Sequence, residues 1–458
     1  MGPDSVVRED TLIHVSRRKP GGSYAKPSRE SSGTLNPGRT LRATLPIVGK
    51  VRTAALLTIL CTVALGATAL LPARIDEVAR EVERVRGRKF DRSVPASEID
   101  QAELRKVLRA KLAEGFPAPP EDTLRTLVAL GLMEEAPNVI DRLIDLYASQ
   151  VVAFYDPEPR RFFLVKGSEA ALGPLDAAGG EGSAEKIVFA HELMHALQDE
   201  SMHLDRRMKD LKDNGDRGQA LQSLLEGEAT LVMIKVAVAE LPGGEAAEEM
   251  MAPLLSAGAL DKTDVPKGVP GYFVEQLFSP YVDGTAYVRA AFKHGGFAEV
   301  DRLWKNPPAS TAEILHGPST PQPVENLLPA NVDALAPPGY RKLYTDTVGE
   351  WTIRFLLRRT LPEPEADRAA ALWRGDRIAF FSAGRSIAYT WTVRCDGPGS
   401  ADRFAAALLK ARAGKKPGEK VERRGADVIV TFPAVAARPT EQRGEVSAAP
   451  SLSKRLPG

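Results

Sequence analysis

The stretch FAHELMHALQDES, residues 189–201, constrains the fold more than any other part of the chain. Its two histidines, His191 and His195, are four positions apart, and an α-helix places side chains at this spacing on one face, one turn apart. Glu192 lies one position further round the helix, where its carboxylate can reach a water held beside the pair. The stretch therefore predicts either a metal-binding helix with its own general base or an amphipathic helix that carries incidental histidines.

A catalytic zinc site needs a third protein ligand and one coordination position left open for water. The stretch SLLEGEATL, residues 223–231, offers Glu226 and Glu228 on the next predicted helix. Side chains two positions apart on a helix point about 200° away from each other, so only one of these glutamates can be a ligand. Gly227 lies between them and lacks a side chain, which permits another helix to pack closely there.

Composition excludes several other kinds of site. The chain of 458 residues has only two cysteines, and Cys61 lies in an apolar run, so neither a disulfide framework nor a cysteine-rich zinc site is predicted. The formal net charge is +1 and aromatic residues make up 6%, so nothing favours a nucleic-acid partner. The sequence also carries no Walker-type phosphate loop and no G-x-S-x-G nucleophile motif.

The first 72 residues predict an extracytoplasmic location for the rest of the chain. Residues 1–52 contain ten Lys/Arg against four Asp/Glu, are rich in Gly, Ser and Pro, and are predicted to be a disordered basic N-terminus. The next twenty residues, 53–72, carry no charge. They are interpreted as a single-pass membrane anchor or a cleaved signal peptide, with a buried helix as a third alternative. With the basic flank inside, the first two alternatives leave the protein membrane-anchored or secreted into the periplasm or medium.

The spacing of apolar residues after this segment predicts an α+β fold that is mainly helical. Residues 74–150 have apolar positions three and four apart and form an N-terminal helical region, with helices predicted to begin at Ser97 and Pro120. Residues 151–165 change to β-branched and aromatic residues around an Asp-Pro turn, which predicts a β-hairpin. The helix with Glu226 is predicted over residues 219–241.

The C-terminal part of the chain is predicted to be a small α+β unit. A proline-rich stretch over residues 317–340 marks the boundary before it. The unit itself, residues 340–436, has a helix over 345–361, two strand-like runs, a second helix and a last strand. The tail over residues 437–458 is predicted to be disordered.

The motifs together resemble those of the gluzincin metallopeptidases, in which H-E-x-x-H is followed by a helix with E-G-x-A. The chain is similar in this respect to zinc aminopeptidases of the leukotriene-A4-hydrolase type, although the gap between the two motifs is longer in this chain. The resemblance implies Zn²⁺ as the cofactor and a zincin-like catalytic domain over residues 151–325. It also implies that Glu226, which precedes the glycine, is the third ligand beside His191 and His195. Over residues 150–320 the chain also resembles a group of bacterial extracytoplasmic proteins.

The same resemblance implies a donor for the oxyanion that forms during hydrolysis. Tyr281 and Gly284 match the P-Y-x-x-G pattern of the aminopeptidases, whose tyrosine hydroxyl supplies this hydrogen bond, whereas the alternative is a tyrosine that bridges helices. His316 is a further candidate donor, or a residue at a helix end. Asp199, four residues after His195, could orient that histidine, or it could lie on a solvated face.

The function that these observations predict is a zinc metallopeptidase acting on a peptide or protein substrate. Glu192 is the expected general base, and Tyr281 and His316 are the expected electrophilic residues. Two alternatives remain open on the sequence alone, a zinc hydrolase with a non-peptide substrate and a non-catalytic binding protein on a zincin scaffold. Residues 53–72, if retained, would make a membrane the other partner.

Overall fold

The computed structural model describes residues 71–168, 183–239, 244–258, 265–413 and 418–433. The predictions for residues 1–52, for all but the last two residues of the apolar segment 53–72, and for the tail 437–458 lie outside this part of the chain. Within the described residues, no helix is both long enough and apolar enough to cross a membrane. The structure confirms the α+β class.

The helices and strands fall into three groups along the chain. The N-terminal part comprises α1 Leu71–Arg86, β1 Ala96–Ile99, α2 Gln101–Gly115, α3 Pro120–Leu130, α4 Val139–Gln150, β2 Ala153–Asp156 and β3 Arg161–Val165. The middle part comprises α5 Ser183–Met202, α6 Leu204–Asp210, α7 Gly215–Val238, α8 Glu245–Gly258, α9 Gly271–Lys305 and α10 Thr311–His316. The C-terminal part comprises a short 3₁₀ helix Val332–Leu335, then β4 Arg341–Asp346, α11 Gly349–Arg358, α12 Glu363–Ala370, β5 Trp373–Ala383, β6 Ser386–Cys395, α13 Pro398–Arg412, β7 Lys420–Arg424 and β8 Asp427–Phe432.

A three-stranded sheet with the order β1-β3-β2 lies in the N-terminal half of the protein. The hairpin predicted over residues 151–165 is confirmed as β2 and β3, which pair antiparallel from Ala153 opposite Leu164 to Asp156 opposite Arg161. Among the strands that the structure describes, β2 pairs with β3 alone and lies at the edge of this sheet. This edge matters because a backbone group of β2 contacts the motif helix α5.

The prediction of a helix beginning at Ser97 is wrong. Ser97 lies within β1, which pairs parallel with β3, and the helix α2 begins at Gln101 after the N-cap residue Asp100. Asp100 and Glu103 form a capping box at the true start of the helix. A capping residue therefore does mark this start, three positions after Ser97. Parallel pairing with a strand distant in sequence overrides the local preference for a helix at Ser97. The helix predicted from Pro120 does begin there, with proline in the first turn.

Three long helices, α5, α7 and α9, form the centre of the middle part. The helix predicted from Gln219 begins earlier, at Gly215, because the side chain of Asn214 caps it by accepting a hydrogen bond from the backbone N–H of Arg217. Helices α7 and α9 cross where both have glycine. A Cβ built on Gly227 would lie 2.2 Å from the carbonyl oxygen of Gly284, which confirms that Gly227 permits close packing.

The C-terminal part contains a five-stranded sheet with the order β4-β5-β6-β8-β7. The helix predicted over residues 345–361 is shorter, because its first residues belong to β4 and α11 begins at Gly349. The carboxylate of Asp376, on β5, accepts hydrogen bonds from the backbone N–H groups of Val348 and Gly349 and thereby fixes this start. One hydrophobic core extends from helices α3 and α4 to the C-terminal sheet and α13.

Candidate metal centre

Helix α5 presents His191 and His195 because its opposite face is buried. Five apolar residues of this helix are less than 3% exposed and pack against α1, the small sheet and α7: Phe189, Ala190, Leu193, Met194 and Leu197. The two histidines lie on a different face of the helix and point toward Glu226 of α7. Their Nε2 atoms are 3.2 Å apart, as the spacing of one helical turn predicts.

Glu226 on α7 completes a group of three possible metal ligands. Its Oε2 atom lies 3.1 Å from Nε2 of His191 and 3.4 Å from Nε2 of His195. Ligand atoms about 2.0 to 2.1 Å from a tetrahedral zinc ion would be about 3.3 Å from one another, so the three separations fit one face of such a site. No other group of three His, Cys, Asp or Glu side chains close enough for a metal occurs in the described residues.

The charged groups of this site stabilise one another's charged forms. Burial alone would lower the pKa of His195, but the Glu226 carboxylate beside it raises that pKa to about 9. Burial alone would raise the pKa of Glu226, whereas the two histidines hold it well below its usual range. Glu226 is therefore ionised beside the two histidines. A divalent metal ion bound at this site would replace the protons on the histidine nitrogens that face it.

Glu192 is held by the edge strand of the small sheet. The backbone N–H of Tyr155, on β2, donates a hydrogen bond of 2.9 Å to its Oε2 atom. Burial raises the pKa of Glu192, and the two neighbouring histidines act in the opposite direction. The carboxylate is thus fixed beside the ligand group on the same helix, in the position that the H-E-x-x-H spacing predicts for a general base.

Tyr281 lies on the other side of the ligand group. Its ring stacks on the imidazole of His191, with 5.9 Å between ring centroids. Burial raises the pKa of Tyr281 well above the ordinary value, as do the carboxylates of Glu226 and Glu192 and a hydrogen bond to Glu226. The hydroxyl therefore keeps its proton and can donate it in a hydrogen bond. The close crossing of Gly227 and Gly284 is what brings α9 near enough for this contact.

A residue that the sequence analysis missed, Gln198, orients His195. Its Nε2 atom donates to the carbonyl oxygen of Leu225 at 3.0 Å and to Oε2 of Glu228 at 2.9 Å. Its Oε1 atom lies 2.9 Å from Nδ1 of His195. Since both amide hydrogens are used elsewhere, Oε1 accepts from Nδ1–H, and Nε2 of His195 keeps its lone pair for a metal.

The position of Asp199 matches neither alternative left open by the sequence, because the side chain is buried and its carboxylate bonds residues other than His195. The carboxylate of Asp199 accepts hydrogen bonds from the hydroxyl of Tyr155 at 2.9 Å and from the backbone N–H of Leu204 at 2.8 Å. Asp199 thus links β2 to the start of α6 instead. Helical spacing alone could not show whether Gln198 or Asp199 contacts His195, because positions three and four after a residue both lie on its side of the helix.

Glu228, the glutamate that the resemblance rejects as a ligand, is buried on another face of α7. It forms an ion pair with Arg86 of α1, with 2.7 Å between Nε and Oε1, and both side chains are at most 1% exposed. Trp304 Nε1 also donates to it, and the Arg86 guanidinium stacks over the Trp304 and Phe297 rings. Glu228 is therefore held in place by these contacts and accepts the hydrogen bond that fixes the Gln198 amide.

The structure does not bring His316 to the ligand group. It is at the C-terminal end of α10, where its Nε2 atom lies 2.6 Å from Oε1 of Glu350, and its side chain is 46% exposed. This matches the alternative of a histidine at a helix end, and nothing in its position supports a role as oxyanion donor. His203 and His294 are exposed.

A cavity of about 780 Å³ opens beside His195 and Glu226. It is bounded by helices α2, α3, α6, α7 and α9 and by the C-terminal strands β4 and β5. Its size is typical of ligand sites, which commonly have volumes of about 300 to 1,000 Å³. Tyr155, whose N–H holds Glu192, is also part of its lining.

Comparisons with known proteins add little to this geometry. Residues 339–451 match a family described as a domain of unknown function, DUF8575. No curated protein matches the chain at a significant level. A crystal structure of a "putative hydrolase with a novel fold" from Chloroflexus aurantiacus is similar over 55% of this chain and 89% of its own, with 18% identity and a TM-score of 0.35. At that TM-score the similarity carries no argument about this protein.

Proposed function

We propose that the protein is a zinc-dependent metallopeptidase in which His191, His195 and Glu226 hold the metal. The observation that carries this proposal is the triangle of Nε2, Nε2 and Oε2 atoms, 3.1 to 3.4 Å apart, with Glu192 on the same helix. Zn²⁺ bound there would act as a Lewis acid that lowers the pKa of water and polarises a carbonyl group.

Glu192 is the general base and later the general acid. The Tyr155 N–H holds Oε2 of its carboxylate, so the other oxygen takes a proton from the attacking water as the new C–O bond forms. The same carboxyl group then gives that proton to the amide nitrogen as the C–N bond breaks. Peptide hydrolysis therefore returns Glu192 to its ionised state in each cycle.

Tyr281 donates a hydrogen bond to the oxygen of the scissile carbonyl as negative charge develops on it. A phenol whose pKa is well above its ordinary value stays protonated at neutral pH and is therefore a neutral donor. The contact with His191 holds its ring beside the ligand group. His316 has no part in this proposal.

The substitution Glu192→Gln tests the assignment in the full-length protein. It keeps the shape of the side chain but removes proton acceptance, so peptide hydrolysis should fall by about 10²- to 10⁴-fold. The zinc content measured by mass spectrometry should stay at about one per chain, because the three ligands are untouched. Glu200→Gln on the same helix is the matched control and should leave both quantities unchanged.

Two outcomes would contradict the proposal in different ways. Full chelator-sensitive activity in Glu192→Gln would assign proton transfer to another group. If the wild-type protein binds zinc but cleaves no member of a mixed peptide library, the assignment of the metal site would be supported and the assignment of peptidase activity would be contradicted.

A further inference from the structure

We infer that the cavity beside the metal ligands binds the substrate as an extended polypeptide segment with apolar side chains, over about five residues on one side of the scissile bond. The inference rests on the proposed peptidase function and names its substrate class. It also gives the C-terminal sheet a part in substrate binding.

Helix α7 sets the length of the segment. One face of this helix lines the cavity from Gly215 through Gly218 and Gln222 to Glu226. The distance between the two ends is about 16 Å at a rise of about 1.5 Å per residue. An extended peptide advances about 3.3 Å per residue, so about five residues cover the distance from the metal ligand to the far end.

The walls favour apolar side chains on a polypeptide backbone. Most of the lining is aliphatic or aromatic, including Leu108, Met208, Phe273 and Phe380 from four different elements. Gln276 also lines the cavity, and its amide side chain can bond main-chain groups. A hydrocarbon chain would leave such polar groups unpaired, whereas an extended peptide has an N–H and a C=O in every residue.

The far end of the cavity belongs to the C-terminal sheet. Asp346 is the last residue of β4, and its Oδ1 atom accepts a hydrogen bond of 2.6 Å from the backbone N–H of Gly215. Tyr344 and Phe380 from neighbouring strands add further lining. A substrate that reaches only the metal ligands would not contact this sheet, so the sheet discriminates long substrates from short ones.

Gly218 offers a way to obstruct the cavity without disturbing the fold. A Cβ built on it has no atom within 4 Å, so a larger side chain there enters the cavity. Gly218 precedes Glu226 by about 12 Å along the helix axis, which corresponds to the third or fourth residue of the bound segment. Arg217 is adjacent in sequence, is exposed and does not line the cavity, so Arg217→Phe is the matched control.

Peptide binding to the Glu192→Gln protein tests the inference without requiring turnover. A fluorescent octapeptide rich in leucine and alanine should bind at least about tenfold more tightly than a tripeptide of the same residues or an octapeptide of glycine and serine. Adding Gly218→Phe should remove most of this advantage, while adding Arg217→Phe should retain it. Thermal unfolding of both double variants checks that the fold is intact.

Each alternative result overturns a different statement. Equal binding of octapeptide and tripeptide, or no effect of Gly218→Phe in a folded protein, would refute the extended segment. Tighter binding of myristoyl-glycine than of the apolar octapeptide would assign the cavity to an acyl chain. Absence of zinc binding and of peptide hydrolysis in the wild-type protein would instead refute the proposed function itself.

Discussion

Gln198 determines which nitrogen of His195 is available to a metal. Its amide group has one acceptor and two donor hydrogens, and the donors are taken by Leu225 and Glu228. The remaining oxygen can only accept, which places the proton of a neutral His195 on Nδ1. Hydrogen-bond partners of metal-binding histidines fix ring orientation in this way and increase affinity for the metal.

Replacing Gln198 should therefore weaken metal binding although it is not a ligand. We expect Gln198→Leu to raise the dissociation constant for zinc by about 10- to 100-fold, measured by competition with a chromophoric chelator. The substitution Asp199→Asn should have a much smaller effect because Asp199 does not contact His195. Equal zinc affinities for wild type and a folded Gln198→Leu protein would show that the orientation of His195 is set elsewhere.

The grouping of the three candidate ligands could be predicted from the sequence in part, because helical spacing alone brings the two histidines together. Choosing Glu226 over Glu228 required the resemblance to gluzincins, since both glutamates are chemically suitable. Gln198 could not be chosen over Asp199, because its role depends on Glu228 and Arg86, which approach from elements distant in sequence. The one available signal was an amide three residues after a ligand histidine.

At the scale of whole elements, the crossing of α7 and α9 brings two backbones into close contact beside the site. A Cβ on Gly284 would lie 2.0 Å from the carbonyl oxygen of Ser223, and one on Gly227 would be equally obstructed by backbone. Backbone atoms cannot rotate away as a side chain can, so the two helices would have to separate. Tyr281 of α9 and Glu226 of α7 are close to this crossing in sequence, and their side chains are hydrogen-bonded to each other.

We expect Gly227→Ala to destabilise the protein by about 1 to 3 kcal/mol through overpacking at the crossing. The free energy of unfolding from urea titration measures this effect. Gly218→Ala on the same helix is the control, and it should be neutral or stabilising by up to about 1 kcal/mol because its Cβ meets no atom. Similar stabilities of the two variants would mean that the helices adjust at little cost.

Element boundaries were less predictable than the long helices. Local signals at Ser97 and Thr345 resemble helix starts, yet both residues are in strands. In each case a partner strand far away in sequence, β3 or β5, supplies the hydrogen bonds that decide the outcome. Helices α5 and α7 were predictable because their own residues determine them, whereas pairing between distant strands is not encoded locally.

At the scale of the whole molecule, Asp216 joins three parts of the chain. Its carboxylate accepts hydrogen bonds from the backbone N–H and the hydroxyl of Thr311 at the start of α10. Its backbone N–H donates to the carbonyl oxygen of Thr347 before α11. Burial raises the pKa of Asp216 to about 7, with smaller contributions from the nearby carboxylates of Asp376 and Glu350.

This raised pKa gives the protein a pH-dependent stability. Between the unfolded pKa near 4 and the folded pKa of about 7, the folded state binds the proton and the unfolded state does not. The contribution of Asp216 is therefore fully present below about pH 4 and is lost as pH rises toward 7. We expect the stability difference between wild type and Asp216→Asn to shift by about 1 to 4 kcal/mol across this window.

Urea titrations at several pH values between about 4.5 and 7.5 measure this difference. The control is Asp213→Asn, whose side chain is 74% exposed and which should give a curve parallel to wild type. Because the comparison is between variants, contributions from titratable groups that do not interact with Asp216 cancel. Parallel curves for Asp216→Asn would show that Asp216 has an ordinary pKa in the folded protein.

The buried pair of Arg86 and Glu228 has a consequence for how this protein can evolve. Removing Arg86 would leave the buried Glu228 carboxylate without its cation, a loss that typically costs about 3 to 5 kcal/mol, whereas removing Glu228 leaves Arg86 its ion pair with Asp301. Replacing both with apolar residues of similar volume is far less damaging. Positions 86 and 228 should therefore change together among descendants of this sequence, even though they are 142 residues apart. Helix α7 is thus constrained by the residue that α1 carries at position 86, and recombination that separates matched residues at these two positions would be selected against.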